Sequence, residues 1–286
     1  MKLVVYQSTA GPRVAGLRDA QLVDLQQADP TLPHCVKALL AVGPTAIRRA
    51  AAALANGPGM ALESVKLCPP VPSPEKIICV GLNYADHAAE TAARRPAEPV
   101  LFNKFPTAAS AHGWPIVLPA DSREVDYEAE LVAVIGVGGR RIPPREVRSH
   151  IAAYCCGNDV SARDWQLRKP GGQWLLGKSF DGFAPFGPWL TTADEIAEPG
   201  RLQIKLRLNG QTMQQSSTAQ WIFGIEEVIS YASRVCTLSP GDLVFTGTPG
   251  GVGFARTPPV FLKPGDVVEV EIERLGVLRN MVEKER

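Results

Sequence analysis

Residues 126–136 read DYEAELVAVIG, with Glu128 and Glu130 two apart just ahead of an apolar run. Alternate residues of a strand point to one side, so Asp126, Glu128 and Glu130 would share a face with Val132 and Val134. Neighbouring carboxylates at the edge of an apolar face repel each other, and each resists leaving water. Such a face is either open to solvent or built around a positive group, and a divalent cation suits a carboxylate pair best. A third acid, Asp159 of CCGNDVSARDWQ, follows an expected helix and would complete three oxygen ligands. That set leaves half of an octahedral Mg²⁺ or Mn²⁺ shell for water and substrate, with Ca²⁺ also admissible. The bland alternative is a solvated strand face, with Asp159 as a turn former.

His87 and Glu90 of NYADHAAET stand three apart, on one face of a helix. A carboxylate there fixes the imidazole tautomer and raises its basicity, which makes a general base for activating water. An exposed surface pair is the alternative. The chain has four histidines and no HExxH-like array, so the pattern does not point to zinc. Arg163 and Gln166 face one way if their turn is helical. GGQWLLGKS is a literal match to the phosphate-cradling loop, Gly172-x4-Gly177-Lys178-Ser179. That mechanism needs a strand before the loop and a helix after it. The flanks here are RKPG and FDGFAPFGPWL, where Pro and Gly forbid a continuing helix, so nucleotide hydrolysis is set aside. Lys178 then sits between Leu176 and Phe180 in apolar company and needs another explanation.

The elements that position these residues divide the 286-residue chain in two. Residues 1–70 form a small amino-terminal domain: short strands broken at Gly11-Pro12 and Gly16, then helical spacing from about 34 to 56, ending at Gly57. The Pro-rich LCPPVPSPEK is a stiff connector to a larger domain, residues 71–286. There KIICVGL reads as a buried strand and YADHAAETAARR as a short polar helix. EVDYEAELVAVIG, RLQIKLRLNGQTM, GDLVFTGTP and GDVVEVEIERLG read as strands, with Asn209-Gly210 as a hairpin turn. PREVRSHIAAYCC and GIEEVISYASRV read as helices. Strands in runs with scattered helices predict an α+β architecture. Hydrophobic residues make up 45% and charged residues 21%, an ordinary globular balance. Thirty Lys plus Arg against 29 Asp plus Glu point to neither nucleic acid nor a membrane surface as partner. No apolar run is long enough for a signal peptide or a membrane span, and the six cysteines form no CxxC pair. A cytoplasmic protein with reduced thiols is expected.

In order along the chain, ICVGLNYADH, EPVLFNKF, VDYEAELVAVIG, NDVSARDWQ, QWLLGKSFDGFAPFGPW, TGTPGGVG and PPVFLKPGDVVEVEIERLG resemble the fumarylacetoacetate hydrolase family. VSARDWQ and RTPPVFLKPGD are most similar to the branch of domain-containing proteins of the second type. The resemblance implies a β-rich roll, a mixed sandwich or incomplete barrel, with a small amino-terminal α/β domain, one metal site and a homodimer. It implies Glu128, Glu130 and Asp159 as ligands of Mg²⁺ or Mn²⁺, and His87 with Glu90 as a catalytic dyad. Lys178 is implied in catalysis and oxyanion binding, Arg163 and Gln166 in substrate binding, and Thr248 near the substrate carboxylate. Tyr84 is a further binding candidate, while Trp165 and Trp174 read as wall. Fumarylacetoacetate hydrolase proper has a longer amino-terminal domain and a further acidic ligand ahead of its histidine, where GLNYADH offers Asn83. The implied substrate is a small 2-oxo acid. The expected reaction is hydrolytic cleavage of a C–C bond in a β-diketo acid of acylpyruvate or fumarylpyruvate type. Oxaloacetate decarboxylation or keto–enol tautomerisation is the alternative on the same site.

Overall fold

Strand Ala129–Ile135 is buried at all seven positions, which requires neighbours on both edges and layers on both faces. The computed structural model describes residues 1–90 and 94–285 and supplies all of these. Ala129–Ile135 pairs antiparallel with Ile151–Asn158 on one edge and Leu243–Phe245 on the other. Leu243–Phe245 runs parallel to Ile77–Gly81, and Val100–Lys104 ends the sheet on that side. In the other direction Ile151–Asn158 pairs with Ala184–Thr192. The amino-terminal strands continue the same sheet through Lys2 opposite Thr191, giving eleven strands.

A second sheet of five strands includes Gln203–Leu208, Gln211–Ser217 and Val267–Ile272. Val267–Ile272 alternates half-buried and buried residues, so one of its faces meets the core. That core joins Leu131, Ala133 and Cys156 of the large sheet to Leu206, Val270 and Leu278 of the small one. The opposite face of the large sheet, with Val132, Val134 and Phe245, packs on Leu39, Leu40 and Ala50 from the amino-terminal helices. The β-rich α+β roll expected from the sequence is therefore the fold.

Several elements differ in extent from the sequence reading, each for a local reason. The helical stretch from 34 to 56 is two helices, Val36–Val42 and Pro44–Asn56, because Gly43 sits at φ 80° and Pro44 starts afresh. PREVRSHIAAYCC is helical only to His150. Ile151–Asn158 is a strand, so Asp159 follows a strand and not a helix. Pairing on both edges overrides local propensity there. The run from 126 to 136 is not one strand. Val125–Asp126 pairs with Ser161–Ala162, and the ladder resumes at Ala129. Of YADHAAETAARR, Ala85–Glu90 is helical, and 91–93 lie outside the described residues. The hairpin holds: Asn209 and Gly210 both take positive φ, 52° and 79°, as a tight two-residue turn requires.

Gly157 lies in the middle of the large sheet, where an added Cβ would come within 2.4 Å of Val132 Cγ2 and 2.7 Å of Phe245 Cε1. Gly157→Ala is expected to lower unfolding free energy by about 1–3 kcal/mol through overpacking, read as a reduced midpoint in urea. A midpoint equal to the parent's would show that this core yields more easily than its packing indicates.

Candidate active site

The interruption at Tyr127–Glu128 brings the acids together. The Glu128 N–H bonds the Asn158 side chain at 2.9 Å, and its carbonyl accepts the Asp159 N–H at 2.9 Å. Ligand oxygens of Glu128, Glu130 and Asp159 then lie within 4.8 Å of one another, all three residues buried. Three cations are set among them. Lys178 Nζ donates to Glu128 Oε2 at 2.9 Å and to Asp159 Oδ2 at 2.7 Å. Arg163 Nη2 lies 2.7 Å from Glu128 Oε1 and 2.8 Å from Asp126 Oδ2. Lys104 donates to Asp159 Oδ1, to Val160 O at 3.0 Å and to Phe183 O at 2.5 Å.

The electrostatics are unequal across the cluster. Burial disfavours charge on Glu128, but Lys178 and Arg163 overcome it and hold the carboxyl at about 2. Burial likewise works against the Lys178 ammonium, yet Asp159 and Glu128 raise it above its ordinary value. Glu130 accepts the Gly247 N–H at 2.7 Å. Burial first, then Asp159 and Glu128, push its carboxyl well above the usual range. Four buried acids, counting Asp126, thus meet three buried cations, and the shortage of positive charge falls at Glu130. The donors are all carboxylate oxygens, each with a lone pair to spare, and neither sulfur nor imidazole belongs to the group. This set fits a hard divalent ion such as Mg²⁺ or Mn²⁺.

His87 is carried to the cluster by the helix Ala85–Glu90 and is 7% exposed. Its Nδ1 lies 3.3 Å from Glu90 Oε2. Glu90 also accepts the Gly251 N–H at 2.9 and 3.0 Å. Asp86 accepts the His87 N–H at 2.7 Å and the Ser216 hydroxyl at 2.5 Å. The helix is therefore tied to the small sheet and to the loop Gly250–Gly251, so the pairing of His87 with Glu90 is more than a surface contact.

A cavity of about 200 Å³ opens over the cluster, with His87, Glu128, Arg163, Gln166, Lys178 and Thr248 as its polar wall. Leu82, Phe102, Leu167, Trp174 and Phe254 make the apolar wall. A larger cleft of about 380 Å³ beside Pro44 and Ala152 lies away from these acids. Arg163 and Gln166 do share a helix, Arg163–Arg168, with Arg163 Nη1 donating to Gln166 Oε1 at 2.9 Å. Glu130 and Asp159 belong to the acid cluster behind the wall, and Glu90 sits one step behind His87. Tyr84 is fully buried, bridged to Trp221, and outside the cavity wall. The helix Trp174–Lys178 has five residues and turns Lys178 into the acids, so the GKS match cradles no phosphate.

Five residues of the site were missed or given another part by the sequence reading. Lys104 shares a strand face with Val100 and Phe102, and an ammonium on such a face was the available signal. Asp126 was assigned to the glutamate face. It instead accepts the Gly253 N–H at 2.8 Å, the Phe254 N–H at 3.0 Å and Arg163 Nε at 2.9 Å. Phe254 lies over the Arg163 guanidinium at 4.4 Å. Gln214 bonds the Ala129 N–H at 2.9 Å and donates to Thr248 Oγ1 and Pro249 O at 2.8 Å each, which nothing local in its strand announces. Asn83 donates its amide to Thr246 O at 2.8 Å and accepts the Phe223 N–H at 2.9 Å, a cross-link of the backbone.

The family described as fumarylacetoacetate (FAA) hydrolase C-terminal matches residues 76–283. An oxaloacetate tautomerase of Xenopus laevis, described as mitochondrial, is 46% identical, covering 99% of this chain and 90% of the relative. A fumarylacetoacetate hydrolase domain-containing protein 2 homolog of Dictyostelium discoideum is 44% identical over 99% of this chain and 97% of its own. The solved fumarylacetoacetate hydrolase of Exiguobacterium antarcticum is 34% identical and superposes with a TM-score of 0.86, covering 100% of both chains.

Glu130→Gln removes a carboxylate from the candidate ligand set and leaves the hydrogen bond from Gly247 an acceptor. Mn²⁺ affinity measured by calorimetry should fall about tenfold or more, since even partners behind the ligands are worth about 10–100-fold. Unchanged affinity would sink the metal assignment.

Proposed function

This chain belongs to the fumarylacetoacetate hydrolase family, and from that premise we propose that it interconverts the keto and enol forms of oxaloacetate. The observation that carries this reading is the cavity itself: an imidazole, a guanidinium and an ammonium around about 200 Å³. That volume is below the roughly 300–1,000 Å³ usual for drug-sized ligands, and it suits a small dicarboxylate. The tautomerase name of the Xenopus relative supports the same choice over hydrolysis.

Tautomerisation moves one proton between C3 and the oxygen on C2 and breaks no C–C bond. Arg163, held by Asp126, Glu128 and Gln166 with Phe254 over its face, keeps an Nη1 N–H and its positive charge for a carboxylate. Thr248, held by Gln214, stands on the same wall. His87, its tautomer fixed by Glu90, takes the proton from C3. Negative charge then gathers on the C2 oxygen, where the Lys178 ammonium stabilises it until the proton held by His87 is delivered to that oxygen, leaving the imidazole neutral again. The reverse path returns the proton from His87 to C3. Held by Glu128, Glu130 and Asp159, a divalent ion would supply a Lewis acid and a template for the 2-oxo acid.

Hydrolysis of a β-diketo acid is the second reading, favoured by the likeness to the Exiguobacterium hydrolase. There His87 would take its proton from water, and decarboxylation would reach the same enolate by loss of CO₂. The amino-terminal domain, residues 1–70, supports the site without bordering the cavity, whose wall begins at Val80. A homodimer is favoured because Val100–Lys104 ends the large sheet with one edge to cover. Light scattering should then give twice the 30.7 kDa chain mass, and a monomer at micromolar concentration would count against it. All six cysteines are free, which suits a reducing compartment. The mitochondrial description of the Xenopus relative weighs against reading the cytoplasm as the only one. No helix among the described residues is long and apolar enough to cross a membrane.

With Mg²⁺ present, the parent protein should speed the loss of enol absorbance of oxaloacetate. His87→Ala should slow that reaction by about 10²- to 10⁴-fold while Mn²⁺ affinity stays at the parent level. Turnover of acetylpyruvate without any effect on the oxaloacetate enol would hand the assignment to hydrolysis.

A further inference from the structure

We infer that Trp174 sets the length of the acid this site accepts, with the short helix Trp174–Lys178 acting as a ruler. The inference rests on the 2-oxo dicarboxylate reading above. Trp174 and Lys178 are four residues apart, so they lie on one helix face a single turn from each other, roughly 5.4 Å along the axis. Both line the cavity. Lys178 marks the charged end through Glu128 and Asp159, and the indole stands on the apolar wall. A four-carbon diacid with its C2 oxygen at the ammonium has about that span for the rest of its chain. A longer chain held by the same oxygen runs into the ring.

The ruler is fixed at both ends. A Cβ on Gly81 would lie 2.7 Å from Trp174 Cζ3 and 3.1 Å from Cη2, so the missing side chain lets the indole rest on the end of strand Ile77–Gly81. Phe102 meets the indole edge-on, with centroids 5.5 Å apart and planes at 79°. The same Phe102 ring lies 5.0 Å from Lys178 Nζ, so one aromatic side chain braces wall and anchor together. Below them, a Cβ on Gly177 would fall 2.6 Å from Gln166 N and 2.8 Å from its Cα. The helix thus presses directly on the backbone of Arg163–Arg168, and neither helix can slide along the other without a clash.

The test is calorimetric binding of oxaloacetate, 2-oxoglutarate and 2-oxoadipate to the full chain with Mg²⁺. The parent should prefer the four-carbon over the six-carbon acid by about tenfold or more, within the 10- to 200-fold that a methylene misfit commands. Trp174→Ala should bring the two within about threefold by tightening the longer acid, with Trp174→Phe between. Gly81→Ala should act in the opposite sense, pushing the indole inward and weakening the five-carbon acid before the four-carbon one. If Trp174→Ala loses its circular dichroism signature, Trp174→Phe and Gly81→Ala carry the test. One length preference across all variants, or no preference in the parent, overturns the ruler. A parent that selects by length but leaves the oxaloacetate enol unchanged upholds the ruler and overturns the proposed activity.

Discussion

Lys178 places one positive charge between Glu128 and Asp159 at the buried floor of the cavity, and the site is arranged around that contact. Taking one partner out of a buried pair costs about 3–5 kcal/mol, because the other charge is left without compensation. The cluster can exist only if every member arrives, and members arrive from distant parts of the chain. Lys104 comes from the last strand of the large sheet, Asp159 from the end of a central one, and Arg163 from the helix that follows. Such a site has a fold-level consequence. The regular ladder of strand Ala129–Ile135 stops at Glu128, whose N–H goes to the Asn158 side chain and not to a backbone carbonyl of the neighbouring strand.

The segment TGTPGGVGF is where the two sheets and the helix of His87 are fastened to this cluster. Its backbone donors go to acids in turn: Gly247 to Glu130, Gly251 to Glu90, Gly253 and Phe254 to Asp126. Gln214 adds a link from the small sheet to Thr248 and Pro249. Close approach explains the glycines. A Cβ on Gly253 would sit 2.4 Å from Asp126 Oδ1, and Gly247 and Gly251 take φ of 94° and 99°. A backbone that donates to buried carboxylates has to come within hydrogen-bond distance of them, and side chains there would hold it off.

Much of this was legible in the sequence, and the limits are physical. Glu128 and Glu130 announced themselves because carboxylates beside an apolar run demand compensation, which the structure supplies, while Asp159 was legible only as a further acid that could join them. Arg163 and Gln166 were readable from spacing, which depends only on a helical turn. Lys104 and Gln214 were not, because their meaning comes from what lies across the sheet. Local propensity also misled at Ile151–Asn158, where an Ala-rich approach reads as helix until pairing on both edges decides for strand. The GKS triplet is the sharper lesson. Each residue type is needed, but for other reasons: Gly177 for contact with the Gln166 backbone, Lys178 for the acids, and Ser179 to accept the Phe105 N–H at 3.0 Å.

Charge also bears on why the proposed substrate is an acid. Four buried acids and three buried cations leave the cluster one positive charge short, at Glu130. A divalent ion would reverse that balance and leave an excess of one positive charge, which is costly to bury without an anion. An anionic acid entering the cavity would meet that excess, to which the Arg163 guanidinium already contributes, while a neutral carbonyl compound would not. Length then divides the anions that charge admits, since the apolar wall at Trp174 stands one helical turn from Lys178. On the proposed reading, charge would select acids and the indole their size, so two independent terms would act on the same small molecule.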